Sequence, residues 1–368
     1  KILIGEKARD YINKDSKNVA SRFKRKMGTT ETVRIESIDA SKTPEELSSF
    51  ILKELKEFVH SGEAVTRAVI TIPASFDTIQ SNATKDAGVK AGIEEVVLLQ
   101  EPIAASLAYA NKVNSDDLKN SQWIVYDLGG GTFDVALVKI VEGELTVVDH
   151  EGNNYFGGTD LDSLIVEKLL VPVLESSGNF SDLIGEMKSA SGRYEKQWYR
   201  FLIAAEEAKI ELSSDLSTEI EYDLDDDDGK SISGVVTITR SQFEDLIRDR
   251  ISETITMLKT ILTRQSLQPS DLKFVLMVGG STFIPFVRKH VEEVMGITVN
   301  TDIDPTNAIV TGAAFFAGSR QAQLNTPNTE DDSHRQSIKV RAIYERSSQE
   351  AEEMFSAKID GAIEGMTY

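Results

Sequence analysis

The chain has 368 residues, with 40 lysines and arginines against 60 aspartates and glutamates, a formal charge of −20. Cysteine is absent and the four histidines (His60, His150, His290, His334) are far apart, which excludes a disulfide framework, a zinc finger and thiol chemistry. The acidity argues against a nucleic-acid binder, which needs lysine and arginine to neutralise phosphates, and the longest apolar runs, such as Val96–Leu99 and Phe274–Val278, fall far short of the roughly 20 residues that span a bilayer.

The length allows two to three domain-sized units. Lys1 opens the chain with neither a methionine nor a signal sequence, which suggests a fragment. The lack of cysteine suits a cytoplasmic setting.

Helix-like and strand-like patterns alternate, which predicts an α/β class. Lys7–Met27 reads as a helix, strongly basic at Phe23-Lys24-Arg25-Lys26. Thr43, Pro44 and Glu46 open a second helix as N-cap, N1 and capping-box partner, with an apolar face of Leu47, Phe50, Ile51, Leu55 and Phe58. Ala68–Ile72 is a predicted strand, Ile79–Ala91 a helix, Val96–Leu99 a strand and Pro102–Ala110 a small-residue helix. Trp123–Tyr126 and Phe133–Val141 are strand-like and flank the glycine-rich turn Asp127–Thr132. Helices are predicted over Leu161–Leu174 and Tyr194–Ile210. The run Asp223–Asp228 holds five aspartates, four of them consecutive and none alternating with a glycine and a distal glutamate, so they read as a solvated hairpin tip and not as a calcium loop. Ser241–Leu262 is a long helix, Phe274–Val278 a buried strand, Phe286–Val294 a helix and Ala308–Ala317 a small-residue helix. Gln321–Gln336 reads as a polar linker, Ile338–Tyr344 as a strand and Ala351–Ile363 as helical.

Four segments carry chemistry. Ile124–Asp134 is an apolar strand that delivers Asp127 to its end, three glycines whose amides can cradle phosphate oxygens, a hydroxyl at Thr132 and a second carboxylate at Asp134. Such carboxylates suit magnesium, which keeps several waters and takes carboxylate plus phosphate ligands. Val275–Thr282 runs from strand through small residues toward a helix, the junction where α/β folds receive nucleotides. Glu206, Lys209 and Ser213 fall on one helix face at i, i+3 and i+7, which is equally the pattern of a solvated face. Glu101 sits where a strand meets a helix, and the helix dipole alone would favour a carboxylate there.

In order, these segments resemble the actin-like ATPase superfamily, and more closely the heat-shock 70 kDa chaperones of the DnaK type. The resemblance rests on ITIPASFDTIQSNATKDAGVKA at 70–91, LQEPIAASLAYA at 99–110, VYDLGGGTFD at 125–134, FGGTDLD at 156–162, AEEAKIELSS at 205–214 and VGGSTFIP at 278–285. It covers roughly residues 1–320.

It implies two lobes, each with an RNase H-like mixed sheet and flanking helices, with ATP or ADP and Mg2+ in the cleft between them. The first lobe would span about 1–120 and 303–320, the second about 121–302 with an outer subdomain at 163–240, leaving 321–368 as linker and tail. Lys24 resembles the catalytic lysine, which would hold the attacking water and the γ-phosphate. Glu101 resembles the carboxylate that reaches the metal through water. Asp127 and Asp134 resemble the pair that orients water and magnesium, and Thr132 the hydroxyl near the γ-phosphate. Gly129, Gly130 and Gly131, with Gly157 and Gly158, would hold phosphates. Glu206, Lys209 and Ser213 would meet ribose and adenine, with Gly279, Gly280, Ser281 and Phe283 under the nucleoside.

The activity implied is slow ATP hydrolysis that switches peptide binding. The partners implied are extended peptides, a J-domain cochaperone and a nucleotide-exchange factor, with neither nucleic acid nor membrane. The alternatives are a degenerate nucleotide-binding module without turnover and a small-metabolite kinase on the same fold. Ser81, Phe283 and Thr306 stand where the family usually has arginine, arginine and aspartate. The family's N-terminal phosphate turn and its leucine-rich linker have no match in this sequence.

Overall fold

The computed structural model describes residues 2–325, 339–343 and 356–360, except 13, 61, 63, 114–117 and 142, with side chains to residue 320. Two compact units divide it, Lys1–Ala317 and Gly318–Tyr368.

The first unit opens with α1 (Glu6–Tyr11) and two single 3-10 turns, Ser16–Asn18 and Phe23–Lys26. The single helix expected over Lys7–Met27 is therefore absent. Asn18 bonds the Asp15 side chain, Arg22 takes a left-handed φ of 56°, and Ser16 and Arg25 reach out to distant side chains. Those tertiary ties replace the helical ladder. A short antiparallel pair follows, β1 (Val33–Ile35) and β2 (Ala40–Lys42).

The capping box at Thr43 and Glu46 forms and starts α2 (Pro44–Glu57). Its apolar stripe is covered only at the N-terminal end: Leu47 is buried, but Leu55 and Phe58 are 50% and 64% exposed. β3 (Arg67–Ile72) and β4 (Glu95–Gln100) pair in parallel, joined by α3 (Thr78–Lys90), whose start is capped by Asp77 and Gln80. α4 (Glu101–Lys112) begins directly at the end of β4.

The central sheet holds five strands in the order β11-β10-β5-β6-β7. β5 (Gln122–Leu128), β6 (Phe133–Val141) and β7 (Glu144–Asn153) form an antiparallel meander. β10 (Val275–Val278) lies parallel to β5, and β11 (Val299–Asn300) parallel to β10. β5 carries buried residues on both faces, as a central strand covered on two sides must.

α5 (Gly158–Ile165) continues through a π-turn at Val166–Leu170 into α6 (Val171–Ser177). Pro172 has no N–H for a regular ladder. α7 (Leu183–Lys188) and α8 (Glu195–Glu211) lead to a hairpin of β8 (Ser217–Asp225) and β9 (Ser231–Thr239). The aspartate run is indeed at its tip, and Asp223, Asp225 and Asp228 are exposed there as expected, but Asp226 is buried and Asp227 half-buried. Asp226 is 2% exposed and accepts amide hydrogens from Asn179, Asp228 and Lys230, while Asp227 binds Ser181 and Tyr194.

α9 (Arg240–Arg264) and α10 (Pro285–Met295) cover the sheet. α11 (Ala308–Asn325) packs on α4 through Ala104 and Ala313. Gly312 lies against the Ala104 carbonyl, where no side chain would fit. α4 also packs Ala105, Ala108 and Tyr109 onto Trp123, Val125, Phe274 and Leu276 of the central sheet, so one small-residue helix touches both sheets.

In the second unit, β12 (Lys339–Ile343) pairs antiparallel with β13 (Ser356–Asp360). The strand expected at Ile338–Tyr344 is present. The helix expected at Ala351–Ile363 is not, because residues 356–360 pair with β12, and pairing overrides local propensity; residues 351–355 and 361–363 lie outside the described residues. α11 extends into the expected linker as far as Asn325, and the rest of that linker is likewise outside them.

Candidate functional site

The turn between β5 and β6 sets the centre. Asp127 and Asp134 are direct register partners across it, and the Gly129 amide closes it onto the Thr132 carbonyl at 3.1 Å. Asp134 is buried and Asp127 half-buried. Glu101 is presented by the first turn of α4, also buried, and its Oε1 accepts from Lys24 Nζ at 2.9 Å. Lys24 arrives on the 3-10 turn Phe23–Lys26. The structure thus gathers Lys24, Glu101, Asp127 and Asp134 from three separate segments.

Their electrostatics confirm the crowding. Burial first, then repulsion from Glu101 and Asp134, pushes the Asp127 carboxyl well above its ordinary value, against the pull of Lys24. Burial lifts Asp134 to about 7, opposed by a hydrogen bond from Ser75. Desolvation alone would lower the Lys24 ammonium, yet Glu101, Asp127 and Asp134 together hold it above its usual value.

A second turn locks the first. The amides of Gly158 and Thr159 donate to the carbonyls of Gly129 and Gly130 at 2.9 and 2.8 Å. Gly157 lies so close that a Cβ would come within 2.6 Å of the Gly131 nitrogen, so only glycine permits this approach. Arg25 lies beside Gly131, with its guanidinium on Asp160 at 2.7 Å and its Nε buried without a partner. The Thr132 side chain is half-exposed, and among the described residues its hydroxyl has no partner.

Lys209 is buried. Its ammonium binds Asp162 at 2.6 Å and the Gly158 carbonyl at 3.1 Å, which props the second turn from below. Glu206 forms an ion pair with Arg9. Ser213 lies beyond the end of α8, not on its face, and its hydroxyl returns to the Lys209 carbonyl at 3.3 Å.

The strand β10 ends in Gly279 at φ 85°, a conformation side chains rarely adopt, with Asp127 Oδ1 only 2.7 Å from where a Cβ would stand. Ser281 donates to the Gly129 carbonyl at 3.1 Å, and Gly280 faces Thr306, whose amide and hydroxyl bind Asp304. Phe283 is 44% exposed, with the Arg288 guanidinium 5.2 Å over its ring. Sequence reasoning missed Ser75, Arg25, Asp160 and Asp162. None lies on the glycine turn itself, and no spacing rule links them to it.

Among the described residues no group of three or more acidic or histidine side chains could cage a metal. The donors present fit a hard cation that keeps its waters and shares phosphate oxygens, and its charge would stabilise the ionised carboxylates of Asp127 and Asp134 that burial disfavours.

A family model described as Hsp70 protein matches residues 1–354. The Chaperone protein DnaK of Thermosipho africanus is 39% identical over 331 residues, 88% of this chain and 52% of that protein. Those of Thermotoga petrophila and Metamycoplasma hominis are 36% and 38% identical over 86% and 85% of this chain, each covering 51% of the relative. The chain spans about half the length of the curated relatives it matches. Glycine turn, paired aspartates and matching sequence agree across nearly the whole length. The chain belongs to the Hsp70 family and has its actin-like ATPase fold.

Proposed function

We propose that about residues 1–320 bind ATP with magnesium and hydrolyse it slowly, as the ATPase part of a DnaK-type chaperone. The observation that carries this is the convergence of Lys24, Glu101, Asp127 and Asp134 on a glycine turn fixed by a second glycine turn. Magnesium, held through water by Glu101, Asp127 and Asp134, would supply charge for the phosphates. Lys24 would place a point charge on the γ-phosphate and its attacking water. Gly129, Gly130 and Gly131, with Gly157 and Gly158, would line the phosphate path, and Thr132 would offer its free hydroxyl there.

Glu206, Ser213, Gly279, Gly280, Ser281 and Phe283 would surround the nucleoside, with Lys209 supporting from beneath. Two lobes would close on the nucleotide, residues 1–120 with 303–320 against 121–302, the latter with its outer subdomain at 163–240. Peptide clients, a J-domain cochaperone, a nucleotide-exchange factor and a cytoplasmic setting belong to the same reading. Among the described residues no helix is long and apolar enough to cross a membrane.

The test is phosphate release by the parent and by Lys24→Ala. The variant should lose about 100-fold or more in turnover and still bind ADP. A parent that buries ATP without releasing phosphate would instead mark a degenerate module, and stimulation by a sugar or acetate would mark a kinase.

A further inference from the structure

Ser75 sits in the loop between β3 and α3, on a different sheet from Asp134. Its hydroxyl nevertheless donates to Asp134 Oδ1 at 2.6 Å. An O–H···O⁻ contact of this length is a strong, charge-assisted one. Gly152, the register partner of Asp134 on β7, also lies close to Oδ1. A Cβ there would come within 2.9 Å of Oδ1 and 3.0 Å of the Phe133 carbonyl oxygen. Among the described residues no other side chain donates a hydrogen bond to Asp134. Oδ1 of the carboxylate is therefore engaged by Ser75, and among the described residues no side chain donates to Oδ2.

We infer that Ser75 is the positioning residue of Asp134: it holds Oδ1, so that Oδ2 alone is presented to the nucleotide-bound cation and its waters. The inference rests on the function proposed above. It also makes the β3–α3 loop part of the site, although that loop carries no charged group of its own in the cluster. An unheld carboxylate with a free rotor would point at the cation only part of the time, and positioning losses of this kind fall on turnover more than on binding.

The experiment compares parent, Ser75→Ala, Ser75→Thr and Gly152→Ala in steady-state ATP hydrolysis. It adds a second readout, the extra rise in thermal midpoint that Mg2+ gives to the ADP complex. Ser75→Ala should lower kcat about tenfold, the scale of one hydrogen bond to a charge, and leave KM for ATP within about twofold. Its magnesium-dependent rise should shrink. Ser75→Thr keeps the hydroxyl and should restore both readouts. Gly152→Ala crowds the same oxygen and should lower kcat in the same way.

Ser75→Ala matching an active parent in kcat and in the magnesium response would overturn the inference. So would a loss confined to KM, or a threonine that does not restore. If Ser75→Ala fails to fold, Ser75→Thr and Gly152→Ala decide alone, and an unchanged kcat in Gly152→Ala overturns it. A parent that binds no nucleotide overturns the proposed function, and this inference with it, a result distinct from the others.

Discussion

The two sheets that meet across α4 differ in kind. The five-stranded sheet encloses large side chains completely: Trp123, Tyr126, Phe133, Phe201 and Phe243 are all under 2% exposed. Among the described residues the β3–β4 side has small clusters, Met27 with Ala83 and Ala87, and Leu99 with Ala104 and Ala313, and it leaves Ile51, Leu55 and Phe58 of the α2 stripe exposed. The glycine turn and both aspartates hang from the well-packed sheet. Lys24 and Ser75 are brought to them from the loosely packed side, and Glu101 by α4, which packs on both sheets. A site so divided has a well-packed cradle and partners from elements with fewer buried contacts, the kind that open most easily.

The contrast can be broken most directly through stability. Trp123 stacks on Phe274 at 5.6 Å and donates its indole N–H to Ser106 at 3.1 Å. Trp123→Ala should cost about 3–5 kcal/mol in denaturant unfolding. Leu55→Ala, on the half-exposed stripe of α2, should cost under about 1 kcal/mol. Equal costs would mean that the β3–β4 side is as tightly held as the central sheet, and the division of labour above would fall.

The same contrast explains what the sequence revealed. The central sheet and its turn were legible because buried strands are apolar runs and a triple-glycine turn between two aspartates has no packing purpose. The capping boxes of α2 and α3 are local and equally readable. The region of Lys7–Met27 was misread because its conformation comes from distant partners, Glu206, Glu195 and Asp160, which no local pattern encodes. Ser75 was invisible for the same reason: one serine in a loop gains its meaning only from Asp134, 59 positions away. The burial of Asp226 depends likewise in part on a distant partner, the Asn179 amide, beside the local amides of Asp228 and Lys230.

A pH titration sharpens the comparison at the seam itself. Asp134 has a folded pKa of about 7 against an ordinary 3.8, chiefly from burial. Between those values the native state binds more protons than the unfolded one, so the nucleotide-free protein should lose stability as pH rises from about 4 to 7. Above 7 this contribution is constant. Asp134→Asn removes the titration, and its denaturation midpoint should vary less over that window than the parent's. An identical slope in both would show that Asp134 does not feel the burial that its place on β6 implies.

The smallest expected effect tests how the loosely packed side is held to α8. Arg9 and Glu206 form an ion pair with 47% and 35% of their side chains exposed. Such pairs contribute roughly 0–1 kcal/mol and are screened by salt. Arg9→Ala should therefore barely move the unfolding midpoint at low salt and leave it unchanged at high salt. Arg25 offers the internal control, because its guanidinium is only 12% exposed on Asp160. Removing it strands a partly buried carboxylate, and Arg25→Ala should cost several times more than Arg9→Ala, with a difference that persists in salt. If the two variants are instead equally mild, the N-terminal segment is not held at Arg25. The delivery of Lys24, its neighbour in the same 3-10 turn, then depends on its bond to Glu101 and on the packing of Met27 against Ala83 and Ala87.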